Sequence, residues 1–288
     1  MKHLLKSTIT NPWLRRYIAV GYGAKGTLYL FIGVLAIRAA VMSNRQASGT
    51  YQTLSFLIHQ PWGKLFVCLL AIALLGYVLR RTFQTIMTPG TSNPWSLKCI
   101  FQRLGYIMSG LSYAGVAYSA LNLVFELGEH DDTIEDLANQ LFDQALGEWL
   151  ILAGGIAVTT IGLNYIYGAY TGSYISDFQS SEIHHQLEKW ATRVGQFGVA
   201  ARGIAFVLTG IFLIEAAVVG NSELAGGLQN ALRILATKPL GLLWLSLIGL
   251  GFICYGLYMY VATIYRRYAI RYFLVISMWD RSLLSVTD

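Results

Sequence analysis

Six long apolar stretches separated by polar segments dominate the hydrophobic pattern of this chain. They cover residues 18–41, 62–79, 104–125, 149–170, 199–219 and 240–262. About 20 apolar residues are needed for a helix to cross the hydrocarbon core of a bilayer. The second stretch is shorter, so we expect it to tilt less or to be extended by flanking residues. The stretches are continuously apolar rather than alternating, which excludes the strands of a membrane barrel. The pattern predicts an all-α polytopic membrane protein with six transmembrane helices.

The chain is too apolar for an ordinary soluble domain. Apolar residues make up 55% and charged residues 12% of the 288 positions, against roughly 25% charged residues in soluble proteins. The formal net charge of +6 does not indicate a nucleic-acid partner, because no soluble scaffold is present to carry a basic groove. We therefore predict no nucleic-acid binding.

Three segments of the chain are alike in sequence. They read GYGAKGTLYLFIGVLA from Gly21, GYIMSGLSYAGVAYSA from Gly105 and GVAARGIAFVLTGIFL from Gly198. Self-similarity on this scale indicates a repeat architecture. We predict one membrane domain over residues 1–288, with repeat one at 11–90, repeat two at 91–175 and repeat three at 185–267. Each repeat holds two spans and all enter from the same side, so we expect parallel helix pairs in a pseudo-threefold arrangement.

Each repeat begins with a tryptophan among basic residues and has a short amphipathic segment between its spans. Tryptophan favours the headgroup level of a bilayer, so the three are predicted interfacial anchors: Trp13, Trp95 and Trp190. Ile183, Leu187, Trp190 and Val194 share one helical face, which predicts a helix lying on the membrane surface. Pro61 and Pro239 follow the amphipathic segments, and we expect the second spans to begin there.

The basic residues lie mostly on one side of the predicted membrane. Sixteen of the 21 Lys and Arg residues fall on the side that holds both termini and the loops 80–103 and 171–202. The positive-inside rule therefore predicts cytoplasmic termini, and a basic face of this kind suits contact with anionic lipid headgroups. The first 20 residues lack the pattern of a cleaved signal peptide, so we expect them to be retained.

These motifs resemble a known family. The Gly-Tyr-x-x-(Lys/Arg)-Gly-x-x-Tyr entry, the leucine-rich outer segment, the Pro-x-Gly start and the Gly/Tyr-rich end are similar to the bacterial domain-of-unknown-function 1206 family, over nearly all of residues 11–265. The resemblance implies a threefold repeat of membrane helix pairs in a bacterial plasma or thylakoid-type membrane. It implies no activity, cofactor or catalytic residue. The middle repeat departs from the pattern, with Ser109 at the basic position and Ala145 at the proline position.

Two sets of polar residues fall at equivalent repeat positions within the first spans. The cytoplasmic-side set is Lys25, Ser109 and Arg202, and the outer set is Arg38, Asn122 and Glu215. Charges inside spans are costly and indicate function by default. If the first spans line the axis, the sets form two polar rings, Arg38 can pair with Glu215, and a polar path or anionic-ligand pocket results. The structural alternative is that the cations reach water or lie on Tyr29 and Phe206, four residues further on.

Small residues spaced by four predict close helix approach, for internal packing or for a partner protein. These pairs are Gly110 and Ala114, Ala153 and Ala157, and Ala201 and Ala205.

The sequence contains no recognisable catalytic or metal-binding constellation. Its three cysteines are far apart, one ExxH motif ends at His185, and HExxH, GxSxG and Walker motifs are absent. We predict no enzyme activity, metal or cofactor. The leading hypothesis is a scaffold or accessory subunit that binds other membrane proteins or lipids. The rivals are a small-solute or ion transporter that uses the polar rings, and a pigment- or quinone-binding protein suggested by 13% aromatic residues.

Overall fold

The structure is a computed structural model that describes residues 12–42, 49–87, 97–126, 140–142, 144, 146–172, 185–225 and 227–265. All regular elements in these ranges are helical. The α-helices are α1 (Pro12–Val41), α2 (Thr50–Ile58), α3 (Gly63–Met87), α4 (Leu97–Phe125), α5 (Gly147–Thr171), α6 (His185–Val219), α7 (Gly227–Thr237) and α8 (Gly241–Tyr265). A short 3-10 helix, Ser222–Ala225, precedes α7.

Six of these helices, α1, α3, α4, α5, α6 and α8, are long and apolar enough to cross a membrane. They confirm the predicted all-α fold with six spans. We call the end formed by the starts of α1, α4 and α6 the basic end, and the opposite end, which carries α2 and α7, the far end.

Several helices are longer than their apolar stretches predict, among them α3 and α6. The span in α3 runs to Ile86, past Arg80 and Arg81, because their guanidinium groups lie over the rings of Tyr22 and Tyr77, at 4.8 and 5.0 Å from the ring centroids. The predicted surface helix of repeat three is not a separate element. From His185 onward it is continuous with the span of α6.

The second span of each repeat begins at a glycine, which in repeats one and three lies two residues after the proline that is predicted to start the span. A tight turn precedes each glycine and repeats almost unchanged. The glycine N–H donates to the carbonyl three residues earlier, in the pairs Gly63–Gln60 (2.8 Å), Gly147–Gln144 (2.9 Å) and Gly241–Lys238 (2.8 Å). A Cβ at Gly63 would lie 2.7 Å from the carbonyl oxygen of Ile58, so the end of α2 can approach only a glycine.

The spans form a ring in which each first span packs against the second span of the preceding repeat. Helix α4 packs on α3, α6 packs on α5, and α1 closes the ring on α8. Within repeats one and three, α1 also packs on α3 and α6 on α8. This cyclic pattern gives the bundle the predicted pseudo-threefold arrangement.

Paired glycines bring two of these interfaces into backbone contact. Gly26 and Gly33 of α1 face Gly256 and Gly249 of α8, and the α5–α6 interface has the corresponding pairs Gly162–Gly203 and Gly155–Gly210. Members on one helix are seven residues apart. Of the spacings predicted to mediate close approach, Ala201 and Ala205 are buried, whereas Ala153 and Ala157 are exposed on the outside of α5. Close contacts therefore use the glycine spacing of seven, and Ala201 of the predicted spacing of four also packs directly against Gly251 of α8.

The middle repeat departs from this symmetry because its own two spans, α4 and α5, do not pack along their lengths. In the other repeats, Gly21 and Gly198 lie directly against the backbones of Tyr77 and Tyr255. Their equivalent Gly105 has no atom within 4 Å of an added Cβ. The ring is therefore open between α4 and α5.

Candidate functional site

Lys25 lies inside the bundle on the first span of repeat one. It is 2% exposed, and its Nζ donates a hydrogen bond of 3.1 Å to the Tyr77 hydroxyl. The same Nζ lies 4.5 and 4.7 Å from the ring centroids of Tyr77 and Tyr113. The lysine charge is therefore held by a hydroxyl and two aromatic faces.

Arg202 holds the equivalent place in repeat three and is 3% exposed. Its Nη1 donates to the Tyr255 hydroxyl at 2.8 Å, as Lys25 donates to Tyr77. The guanidinium carbon lies 4.5 Å from the ring centroid of Tyr165 and 5.1 Å from that of Phe206. Its Nε is buried and has no hydrogen-bond acceptor among the described residues. Arg202 is thus enclosed by rings but incompletely hydrogen-bonded.

Ser109, the member from repeat two, reaches the same tyrosines without bringing a charge. Its hydroxyl lies 3.1 Å from the Tyr77 hydroxyl. A further cation reaches the same tyrosine from the preceding repeat, since the Nε and Nη2 of Arg81 donate to the Tyr77 hydroxyl at 2.8 and 2.6 Å. Sequence reasoning missed Arg81 because it counted this residue as a loop charge beyond a short span. Its position four residues after Tyr77 was the available signal.

The structure therefore places Lys25, Ser109 and Arg202 around one group of rings, which we call the tyrosine cluster. Its members are Tyr29, Tyr77, Tyr113, Tyr165 and Tyr255. The Tyr113 hydroxyl donates to that of Tyr29 at 3.3 Å, and edge-to-face contacts join Tyr77 to Tyr113 and Tyr29 to Tyr255. Tyr29, expected to lie under Lys25, is instead 5.4 Å from the Arg202 guanidinium. Phe206 does lie under Arg202, as the structural alternative expects.

The outer set does not form a ring around the axis. Asn122 is buried, but Arg38 and Glu215 are exposed. Arg38 lies 5.8 Å from the ring centroid of Phe56 and donates to the sulfur of Met42. No ion pair joins Arg38 to Glu215 in the described part of the chain, so the predicted pairing across the centre is wrong. Because both side chains are exposed, an ion pair between them is not required to offset the cost of burying a charge.

Two of the three predicted aromatic anchors lie in the described residues. Trp13 is 74% exposed, with the Arg16 guanidinium 5.6 Å from its ring centroid. Trp190 is exposed beside Lys189 at the start of α6. Trp95 lies outside the described residues. No group of three metal-ligating side chains occurs among the described residues.

A cavity of about 490 Å³ lies where the ring is open. Helix α4 forms one side, α5 and α6 form the other, and α2 and α7 contribute residues from the far end. Along α4 it extends from Gly105 to Ser119, about 20 Å at the helical rise. Residues on the α4 side are exposed, including Leu111 at 64% and Tyr118 at 60%. The cavity therefore opens sideways, between α4 and α5, toward the space that lipid occupies.

The cavity is mostly apolar, and its polar side chains are distributed along its length, with Thr50, Gln52 and Gln229 at the far end. Arg202 and Ser109 line it near the tyrosine cluster, while Ser112, Ser119 and Thr209 lie along its length. A long apolar chamber with a cation toward one end matches the general form of a ligand pocket, which combines apolar walls with a few oriented polar groups.

Comparison with known proteins agrees with this architecture. Residues 20–87, 104–172 and 197–266 each match the family model described as Domain of Unknown Function (DUF1206), one match in each predicted repeat. The chain is 31% identical over 260 residues to "Uncharacterized protein YxxB" of Bacillus subtilis (strain 168), which covers 89% of this chain and 93% of that protein. No solved structure matches the chain. This multi-pass membrane protein of three helix pairs therefore belongs to the DUF1206 family.

Proposed function

We propose that this protein is a non-enzymatic membrane protein that binds a lipid-like amphiphile in the cavity between α4 and α5. The single observation that carries the proposal is the opening of the middle repeat, where the spans of repeat two stand apart while those of the other repeats pack together. A molecule dissolved in the bilayer can enter such an opening without crossing an aqueous phase.

The dimensions of the cavity support an occupant of this class. Its volume of about 490 Å³ falls within the roughly 300–1,000 Å³ of pockets that enclose small ligands. Its length of about 20 Å is two thirds of the hydrocarbon thickness of about 30 Å. An extended acyl or isoprenoid chain fits these proportions better than a compact polar solute does.

The packing of the basic end favours binding over transport. A conduction path along the axis needs the two polar rings to be open to each other, but Lys25 and Tyr77 are almost completely buried among the rings of the tyrosine cluster. Arg38 and Glu215 of the outer set are exposed instead of lining the axis. These observations favour a protein that binds a ligand over a transporter that moves a solute between the two polar rings.

The protein surface is compatible with an accessory role. Helix α5 is the least buried span and exposes Trp149, Leu163 and Tyr170, which lipid or another membrane protein can cover. We place the basic end in the cytoplasm, against anionic headgroups. Reporter fusions at each terminus check this orientation: cytoplasmic activity is expected for both, and an extracellular signal from either contradicts it.

A pair of glycine substitutions tests the binding function. Gly115 on α4 and Gly154 on α5 both have open space around an added Cβ, but only Gly115 lines the cavity. Both Gly→Leu changes raise helix propensity similarly. After extraction in mild detergent, native mass spectrometry should find a bound amphiphile on the wild type and on Gly154→Leu, and its mass distinguishes a lipid from a quinone.

Gly115→Leu should lose most of that ligand because the new side chain fills the cavity. A wild-type protein that carries no amphiphile, even after incubation with a bacterial lipid extract, contradicts the proposal. Equal retention by all three proteins contradicts it as well, since the ligand would then lie elsewhere.

A further inference from the structure

We infer that the bound amphiphile carries an oxyanion head group, which is a carboxylate or a phosphate. Arg202 binds this group at the end of the cavity nearest the basic end of the bundle. The inference rests on the proposed binding function and adds the chemical class of the ligand.

The first observation is the incomplete hydrogen bonding of Arg202. A guanidinium has five N–H donors, and Arg202 uses Nη1 on Tyr255 while its buried Nε has no acceptor among the described residues. Buried donors are nearly always satisfied, and each exception requires an explanation. Arg202 lines the cavity, so an acceptor that enters the cavity can approach its guanidinium group, and Nε, which is closed off in this structure, turns toward that acceptor to bond it.

The second observation is the excess of positive charge around the tyrosine cluster. Lys25 and Arg202 are buried, and Arg81 shares the Tyr77 hydroxyl with Lys25. Neither Arg81 nor Arg202 forms an ion pair with a described carboxylate. Tyrosine hydroxyls and ring faces solvate a cation but do not neutralise it, and unneutralised charge within a bilayer is costly. A ligand with a negative head group offsets this cost, whereas a cationic amphiphile would increase it.

The third observation is the departure of the middle repeat. Ser109 occupies the repeat position that holds a cation in the other two repeats and lines the same cavity. A short hydroxyl leaves space beside the tyrosine cluster and can donate to a second oxygen of the head group. Beyond it, the apolar middle of the cavity, lined by Leu111, Val158 and Leu213, can hold the tail of the amphiphile.

Competition among four probes tests the head-group assignment. Palmitate and lysophosphatidate carry oxyanions, 1-monopalmitoylglycerol has the same chain length as palmitate without a charge, and inorganic phosphate has the charge without a chain. Affinities of the full-length protein are measured by native mass spectrometry or by displacement of a fluorescent fatty acid. The variants are Arg202→Gln, Arg202→Lys and Arg38→Gln, the last removing an exposed arginine outside the cavity.

The wild type and Arg38→Gln should prefer both oxyanion amphiphiles to monopalmitoylglycerol. Arg202→Gln should lose roughly 10- to 100-fold in affinity for the oxyanion probes. This is the loss expected when one hydrogen bond to a charged group is removed. Its affinity for monopalmitoylglycerol should stay the same, which also shows that the variant is folded. Arg202→Lys should recover part of the loss.

Three results overturn the inference, and they do so in different ways. If no amphiphile binds the wild type, the proposed function fails too. If charged and uncharged amphiphiles bind the wild type equally, the cavity binds lipid but the head-group assignment is wrong, whether or not Arg202→Gln folds. If inorganic phosphate alone displaces the fluorescent probe as well as lysophosphatidate does, the site serves a soluble anion.

Discussion

The glycine contacts between α1 and α8 predict that Gly33→Ala weakens the closure of the ring. A Cβ at Gly33 would lie 2.5 Å from the carbonyl oxygen of Gly249 and 2.8 Å from Cγ1 of Ile253. The carbonyl belongs to the backbone of α8 and cannot rotate away. The two helices must therefore separate locally by about 0.9 Å before the methyl group reaches an ordinary contact distance.

The expected size of the effect follows from two opposing terms. Overpacking of this kind costs about 1–3 kcal/mol, while replacing glycine by alanine in a helix gains up to about 1 kcal/mol. Gly154→Ala on α5 is the matched control, since its Cβ meets no atom within 4 Å and only the gain applies. The propensity term cancels between the two variants, so Gly33→Ala should be less stable than Gly154→Ala by about 1–3 kcal/mol.

Unfolding free energies in mixed micelles, titrated with a denaturing detergent and followed by far-UV circular dichroism, measure this difference. Gly26→Ala adds a graded comparison, because its Cβ would lie 3.0 Å from the Gly256 carbonyl oxygen and should cost less than Gly33→Ala. If Gly33→Ala is as stable as Gly154→Ala, the α1–α8 contact is looser than the structure indicates, and the reasoning from glycine packing is refuted.

Three further changes have defined outcomes in the same assay. Gly63→Ala should destabilise the protein by about 1–3 kcal/mol, because the new methyl group overlaps the carbonyls that end α2. Tyr77→Phe should cost about 1–3 kcal/mol, because the buried Lys25 and the half-buried Arg81 lose their shared acceptor, whereas Tyr170→Phe at an exposed position should be neutral. The hydrogen bond from Lys64, 2.6 Å long, holds the pKa of Glu126 below its ordinary value. The contribution of this ion pair to the unfolding free energy should therefore be present at neutral pH and disappear as the pH falls through the lowered pKa of Glu126. In Glu126→Gln the contribution should be absent at all pH values.

Much of the architecture could be predicted because the physical constraints act locally. A bilayer requires continuous apolar helices, and the repetition of Gly21, Gly105 and Gly198 made the threefold arrangement visible in the sequence. The position of Arg202 on an aromatic face also followed from residue spacing, since Phe206 lies one turn further on. The partner of Lys25 could not be predicted, because Tyr77 is on another helix and its register depends on how the helices pack.

The length of α3 shows why a charged residue does not reliably mark the end of a membrane span. Hydropathy alone ends this span near residue 79, because Arg80 and Arg81 follow. In the bundle these cations lie on the rings of Tyr22 and Tyr77, so the helix continues without exposing them to acyl chains. The cost of a charge in a span is set by its tertiary partners, which a hydropathy scale does not include.

The threefold symmetry of the bundle is broken in repeat two, and the cavity lies at this break. Three identical repeats would close the ring completely, as Gly21 and Gly198 close against their partner helices. In repeat two the basic residue is replaced by Ser109, whose hydroxyl lies beside that of Tyr77, and Arg81 of the preceding repeat donates to the same tyrosine. No atom of the described residues fills the space beside Gly105, and both Gly105 and Arg202 line the cavity. The short, uncharged side chain of Ser109 and the separation of α4 from α5 thus leave room for a ligand, while the charge beside it comes from Arg202 of repeat three.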